Sequence, residues 1–201
     1  MPRGKAPTFE AQRGAIQRAA ARLFADQGFR GASMADLARA CGVSKALLYH
    51  YYRDKEHLLF DAADSYLDTL IGIVAKVRAR GLPPARHFAA LVERFMQEYE
   101  HSQAQHIVLV QDVKFLRQAE RTRVVAKERE VVEAFAQAIA RLQPRFRRKA
   151  LRLPLAMILF GMINWTFTWL RPDGPLAYRD MAKIVTDIYL HGVTDPHGVA
   201  A

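Results

Sequence analysis

The tripeptide Gly42-Val43-Ser44 constrains this chain more than any other feature, because it packs a helix end, an apolar plug and a new helix start into three residues. Glycine accepts the positive φ that closes a helix, and serine offers an N-cap oxygen to the next one. Upstream, Ser33 supplies an N-cap, Asp36 favours the helix dipole three residues on, and Leu37, Ala38 and Cys41 form a buried stripe ending before Gly42. Downstream, a third helix starts at Lys45 and runs to about Tyr52. A helix, a tight turn and a second helix thus lie within about twenty residues.

The flanking sequence is helical too. From Phe9 to Gln27, Ile16, Ala20, Leu23 and Phe24 recur at helical spacing, and Gly28 supplies the left-handed residue that commonly closes a helix. Asp54 caps a fourth helix whose Leu58, Leu59, Ala62, Tyr66 and Leu70 keep one face apolar until the Arg80-Gly81-Leu82-Pro83-Pro84 break. Beyond it the spacing predicts helices over 84–101, 103–117, 119–142, 148–170 and 177–191, with no strand-like alternation. The expected fold is all-α, with about nine helices: a three-helix head (9–69) on a larger helical body (70–201).

Hydrophobic residues make up 51% of the 201 and charged residues 25%, the balance of a globular protein with ample core material. The formal net charge is +10, which favours a polyanionic partner. Residues 1–55 hold 10 Lys/Arg against 4 Asp/Glu, whereas the other 146 hold 20 against 16, so positive charge is concentrated in the head. The single cysteine, Cys41, excludes an intramolecular disulfide and any cysteine cluster, which suits a reducing cytoplasm. The basic N-terminus is followed by no apolar run or cleavage site, so a secretory signal is not expected.

On the helix from Lys45, residues Ser44, Lys45 and Ala46 occupy the first turn, Tyr49 and His50 lie to one side, and Leu48 and Tyr52 point the other way. Such a division gives one face donors suited to phosphates and base edges and the other a packing surface, as a helix in a major groove about 12 Å wide requires. By spacing alone, Tyr49 and His50 fit equally well as an aromatic pair capping the core of the head.

The stretch FEAQRGAIQRAAARLFADQGFRGASMADLARACGVSKALLYHYYRDKEHLLFDAADSYLD, about 60 residues, resembles the DNA-binding domain of the tetracycline-repressor (TetR) family. The most specific part is GVSKALLYHYYRDKEHLL, with Gly42, Val43, Ser44, Lys45, Leu48, Tyr49, His50, Lys55 and Leu58 at the family's spacing, supported by LFADQGF at 23–29. The resemblance implies that Ser33, Ser44, Tyr49, His50 and Lys55 bind phosphates while Lys45, Ala46 and Leu47 face bases. Two positions depart from the common pattern: Ala46 stands where glycine is frequent, and Tyr52 where phenylalanine is usual. The Ala46 methyl limits backbone approach but can meet a thymine methyl, so operator sequence is what this departure affects. Arg3 and Lys5, within Met1 to Ala6, could form an arm along a minor groove or merely a solubilising terminus.

Residues Leu153 to Leu170 run without a charge, long enough to flag a membrane span. Pro154, Asn164, Thr166 and Thr168 interrupt the run and no second span accompanies it, so a helix buried in the core or in a dimer interface is expected, with no membrane partner. The resemblance implies homodimerisation through the last two long helices, with Gly161 allowing close approach. Pairing also has a functional reason, because two linked heads read paired half-sites. Phe95, Tyr99, Ile107, Val110, Phe135, Trp165 and Trp169 are candidate linings of a pocket for a small hydrophobic effector, with core packing as the alternative.

FGMINWTFTWLRPDGPL resembles the C-terminal region of TetR-type regulators that respond to acyl-CoA thioesters. Arg145, Arg147, Arg148, Lys149 and Arg152 could neutralise CoA phosphates, or form a solvated basic helix start. The resemblance thus implies a repressor released from double-stranded operator DNA by an effector such as an acyl-CoA. Alternatives are an activator, an efflux regulator responding to lipophilic compounds, and an acyl-CoA-processing enzyme. Cys41 with His50 is the obvious thiol and imidazole pairing for an enzyme, and Cys41 reads instead as a small core residue. No cofactor and no metal site are expected.

Overall fold

A computed structural model describes residues 9–192, the Lys149 side chain excepted, so the expected arm at Arg3 and Lys5 lies outside the described residues. Among them are nine α-helices and no strand: α1 (Phe9–Gly31), α2 (Met34–Ala40), α3 (Lys45–Tyr51), α4 (Lys55–Ala79), α5 (Pro84–His101), α6 (Gln103–Asp112), α7 (Gln118–Ala140), α8 (Lys149–Asn164) and α9 (Tyr178–Asp187). They divide into two compact units, one of residues up to 66 with 104–124, the other of 67–103 with the residues from 125 on.

The helix starts and stops follow side-chain chemistry. Ser33 and Asp36 form a capping box at α2, each side chain accepting from the other's backbone N–H. At the end of α2, Gly42 has φ +64°, its N–H donates to the Arg39 carbonyl at 3.1 Å, and the Val43 N–H reaches the Ala38 carbonyl at 3.0 Å. This paired closure needs the left-handed conformation that glycine adopts without a Cβ penalty. Ser44 then caps α3 by accepting from the Leu47 N–H at 3.1 Å.

Some boundaries shift from the sequence reading. Gly28 does break α1, with φ +74°, but one further turn follows to Gly31 because Phe29 is buried and stacks on Phe115 with ring centroids 5.3 Å apart. The expected helix over 103–117 ends at Asp112 and tightens into a 3₁₀ turn at Val113–Phe115. The one over 148–170 likewise tightens at Trp165–Thr168.

In the second unit, Phe88, Leu91, Phe95 and Met96 of α5 are wholly buried, and Phe95, Phe135 and Phe160 form an edge-to-face cluster with centroid spacings of 4.7 and 5.0 Å. Helix α9 returns along α5, its Tyr178 hydroxyl donating to the Leu170 carbonyl at 3.3 Å. The apolar stretch of residues 150–168 is long enough to span a membrane by length and composition, yet only 28% of it is buried within the chain. Burial inside this chain's own core therefore does not account for it: Leu153, Met157, Ile158 and Trp165 are exposed, as is Trp169 just beyond it.

Candidate nucleic-acid interface

Helix α3 has one dry face and one wet face. Leu48 is fully buried and Tyr52, its C-cap, is 2% exposed, whereas Ser44, Lys45, Ala46, Leu47, Tyr49 and His50 are all exposed. This exposure disfavours the reading of Tyr49 and His50 as a pair capping the core, since Tyr49 is 47% exposed. Lys45 lies 6.0 Å over the Tyr49 ring, a cation–π approach that lines its ammonium along the same face. His50 meets Tyr51 edge to face at 5.6 Å, and Tyr51 stacks on Phe9 at the start of α1. The exposed set offers hydroxyls, an ammonium, an imidazole and two small apolar contacts, the chemistry that phosphates and base edges accept.

The two outlying candidates are engaged within the head. Ser33 is exposed but its oxygen serves the capping box at α2. The Lys55 ammonium donates to the carbonyls of Phe29 and Ala32, each at 3.0 Å, and lies 4.6 Å over the Phe29 ring. Lys55 thus closes the extra turn of α1, using donors that a phosphate would otherwise take.

Sequence reasoning missed the group that holds this surface in place. Asp61 of α4 is 6% exposed and accepts from the Arg13 guanidinium, from Gln17 Nε2 at 2.8 Å and from the Tyr52 hydroxyl at 2.6 Å. One carboxylate therefore ties α1, the end of α3 and α4 together. Burial alone would raise its pKa, but these hydrogen bonds outweigh burial and hold the carboxyl below the usual range. Burial, and then the Asp61 partnership, push the Tyr52 phenol far upward, so it stays a donor. The Tyr52 departure is thereby explained: its hydroxyl has a buried ionic acceptor. An acidic residue inside the apolar run Leu58-Leu59-Phe60-Asp61-Ala62-Ala63, with Arg13 and Gln17 one helical turn apart, was the available signal.

A second ionic group secures the start of α4. Asp54 caps it through the His57 N–H at 2.8 Å and accepts from Arg117 at 2.6 Å, while Arg53 pairs with Glu120 at 3.2 Å. Burial raises the Cys41 thiol to about 11, which leaves it protonated at neutral pH.

The effector candidates do not form one set. Phe95, Tyr99 and Phe135 share the buried aromatic cluster, where the Tyr99 hydroxyl donates to Asn164 Oδ1 at 2.8 Å. Trp165 and Trp169 are 61% and 49% exposed, and Ile107 and Val110 lie on α6 in the first unit. Of the basic run, Arg152 pairs with Glu133 at 3.0 Å, Arg145 lies 4.9 Å over the Phe146 ring, Arg147 and Arg148 are exposed, and the Lys149 side chain lies outside what is described.

A capped turn between two short helices, with an exposed polar face on the second and a buried polar clamp behind it, defines a helix-turn-helix DNA-binding protein. Residues 16–62 match the family described as "Bacterial regulatory proteins, tetR family", and residues 81–193 match "Tetracyclin repressor-like, C-terminal domain". The chain belongs to the TetR family of transcriptional regulators. The transcriptional repressor KstR2 of Rhodococcus jostii is 28% identical over 181 residues, covering 89% of each chain. A TetR-family regulator from Bordetella parapertussis superposes with a TM-score of 0.86 at 33% identity, over 91% of this chain and 96% of that one. AibR, solved in complex with isovaleryl coenzyme A and operator DNA, superposes with a TM-score of 0.77 at 26% identity, over 88% of this chain and 97% of its own.

The Asp61 clamp gives a first prediction. Tyr52→Phe keeps the packing volume but removes a hydrogen bond to a charged acceptor, and should cost about 1.5 kcal/mol in urea unfolding. Asp61→Asn, which also ends the ion pair, should cost more. Because the folded-state carboxyl titrates below the unfolded one, its contribution is complete above the unfolded pKa of about 3.9 and disappears as pH falls through the folded value. Acid unfolding of Asp61→Asn should accordingly be shallower over that range; a profile identical to wild type would show that the clamp does not stabilise the head.

Proposed function

We propose that this regulator is a homodimeric repressor, with a DNA-binding head of residues 9–69 and a ligand-binding and dimerisation body of residues 70–201. The exposed face of α3 is the observation that carries the reading. Ser44, Tyr49 and His50 grip phosphates while Lys45, Ala46 and Leu47 face base edges. The hydroxyl of Ser44 accepts a backbone N–H and keeps its own proton to donate. Ser33 and Lys55 set the backbone of α2 and the end of α1 against the DNA, in keeping with their engagement within the head.

Dimerisation is supported by the outward apolar side chains of α8 and the turn after it, joined by Ile184 of α9 and Ile188 just past it. An apolar surface of this kind on a DNA-binding protein is best covered by a second copy, and an added Cβ at Gly161 would meet nothing in this chain within 4 Å, so a partner helix can come close there. Ile158→Asp should halve the sedimenting mass, which we expect to be that of two chains in the wild type. A monomeric wild type at the same concentration would overturn the dimer.

An acyl-CoA thioester is the proposed effector. The similarity to AibR, whose complex contains isovaleryl coenzyme A and operator DNA, supports it beside the aromatic interior of the body. The effector must bind the DNA-incompetent state more tightly, because equal affinity for both states shifts nothing. In a DNA-binding titration against acyl-CoA thioesters, free acids and lipophilic cations, a thioester should weaken the complex by about 5- to 150-fold. Weakening by lipophilic cations alone, or by none of the panel, would refute this effector. The protein acts in the cytoplasm, where both DNA and thioesters are found.

A further inference from the structure

Two long stretches of the body contain no acidic residue. Residues 69–92 carry Lys76, Arg78, Arg80 and Arg86, and residues 134–172 carry Arg141, Arg145, Arg147, Arg148, Lys149, Arg152 and Arg171. The fold brings parts of both to one end of the second unit. Helices α4 and α7 run parallel there: Asp68 pairs with Lys127 at 2.7 Å, and further along Ile71, Val74, Ala75 and Arg78 line a groove with Glu130, Val131 and Ala134. Asp68 lies level with Lys127, so Ala79, the last residue of α4, lies about level with residue 138, near the end of α7, and Arg78 and Arg80 lie at the same end as Arg141. Helix α5 begins four residues after Arg80 and the 3₁₀ turn Pro144–Arg147 three after Arg141, which brings Arg86, His87, Arg147 and Arg148 to this end as well.

His87, near the start of α5, is buried, and burial, then the positive charges of Arg141 and Arg78, lower its pKa and favour the neutral imidazole. Arg78, Arg80, Arg86, Arg141, Arg147 and Arg148 are all exposed, and Glu130 in the groove is the acidic side chain beside Arg78. Like charges gathered with only Glu130 as an acidic side chain in the groove beside them are expected where an anion completes the site. Each guanidinium can meet a phosphate with two parallel hydrogen bonds, and a neutral imidazole can donate one more.

We propose that this basic end, centred on Arg78 and Arg141 with Arg147 and Arg148, binds the 3′-phosphoadenosine diphosphate part of a CoA thioester. The assignment rests on the acyl-CoA reading above and extends it: the phosphates are held by the ends of α4 and α7 together with the run after α7, rather than by that run alone. Arg152, paired with Glu133, lies outside the site.

Calorimetry on the full-length protein with adenosine 3′,5′-bisphosphate tests the site without any acyl group. The wild type should bind it, inorganic phosphate should bind at least tenfold more weakly, and Arg78→Gln/Arg141→Gln should weaken the bisphosphate at least tenfold. The exposed positions leave the fold intact, and thermal melting and operator binding in the absence of effector should match the wild type. Arg152→Gln should bind the bisphosphate as the wild type does. No bisphosphate binding, or equal binding by wild type and the double variant, would overturn the site. Bisphosphate binding lost in the double variant, with no acyl-CoA able to weaken the DNA complex, would instead uphold the site and refute the effector.

Discussion

The head depends on one buried carboxylate. Asp61 sits in an otherwise apolar face of α4, and a charge there is tolerated because Arg13, Gln17 and Tyr52 all donate to it. Its geometric effect matters more than its energy. Tyr52 is the C-cap of α3, so the carboxylate fixes where α3 ends, while the buried Leu48 fixes its rotation. With those two anchors set, Lys45, Ala46, Leu47, Tyr49 and His50 face outward, while Tyr51 stacks on Phe9. An apolar contact in place of Tyr52 would fill the same volume without specifying the same position, because hydrogen bonds are directional and burial is not.

Much of this was legible in the sequence. The turn at Gly42-Val43-Ser44, the caps at Ser33, Ser44 and Asp54, and the split between Leu48/Tyr52 and Tyr49/His50 depend on local chemistry, and local chemistry is what a sequence displays. The Asp61 clamp spans up to 48 positions, so only the oddity of an aspartate among leucines and alanines hinted at it. Lys55 carried a basic charge in the right motif, but its direction depends on the extra turn of α1 after Gly28, which in turn depends on Phe29 meeting Phe115. The pocket candidates were chosen as large apolar residues at helical spacing. That criterion selects equally for core, as at Phe95 and Phe135, and for an exposed face, as at Trp165 and Trp169.

The body is organised by two kinds of uncompensated surface. Apolar side chains along α8 remain exposed, and arginines at the ends of α4 and α7 stand without acidic neighbours along their own stretches of chain. Each departs from what a self-sufficient globular unit does with such groups, since it buries the first and pairs or disperses the second. Under the proposals above, the first is a contact for a second copy and the second a seat for phosphates. The head is the opposite case: its one buried charge is fully satisfied internally, which suits a rigid reading surface.

The most direct test of sequence-specific reading by α3 is selection of binding sites from a random duplex library, with the wild type and Tyr49→Ala run side by side at fixed salt. The wild type should enrich one sequence of two inverted half-sites, bound roughly a thousandfold or more tightly than a scrambled duplex, and Tyr49→Ala should enrich it far less. Salt-sensitive binding with no sequence enriched would contradict the account, reducing the basic head to an electrostatic footprint on DNA.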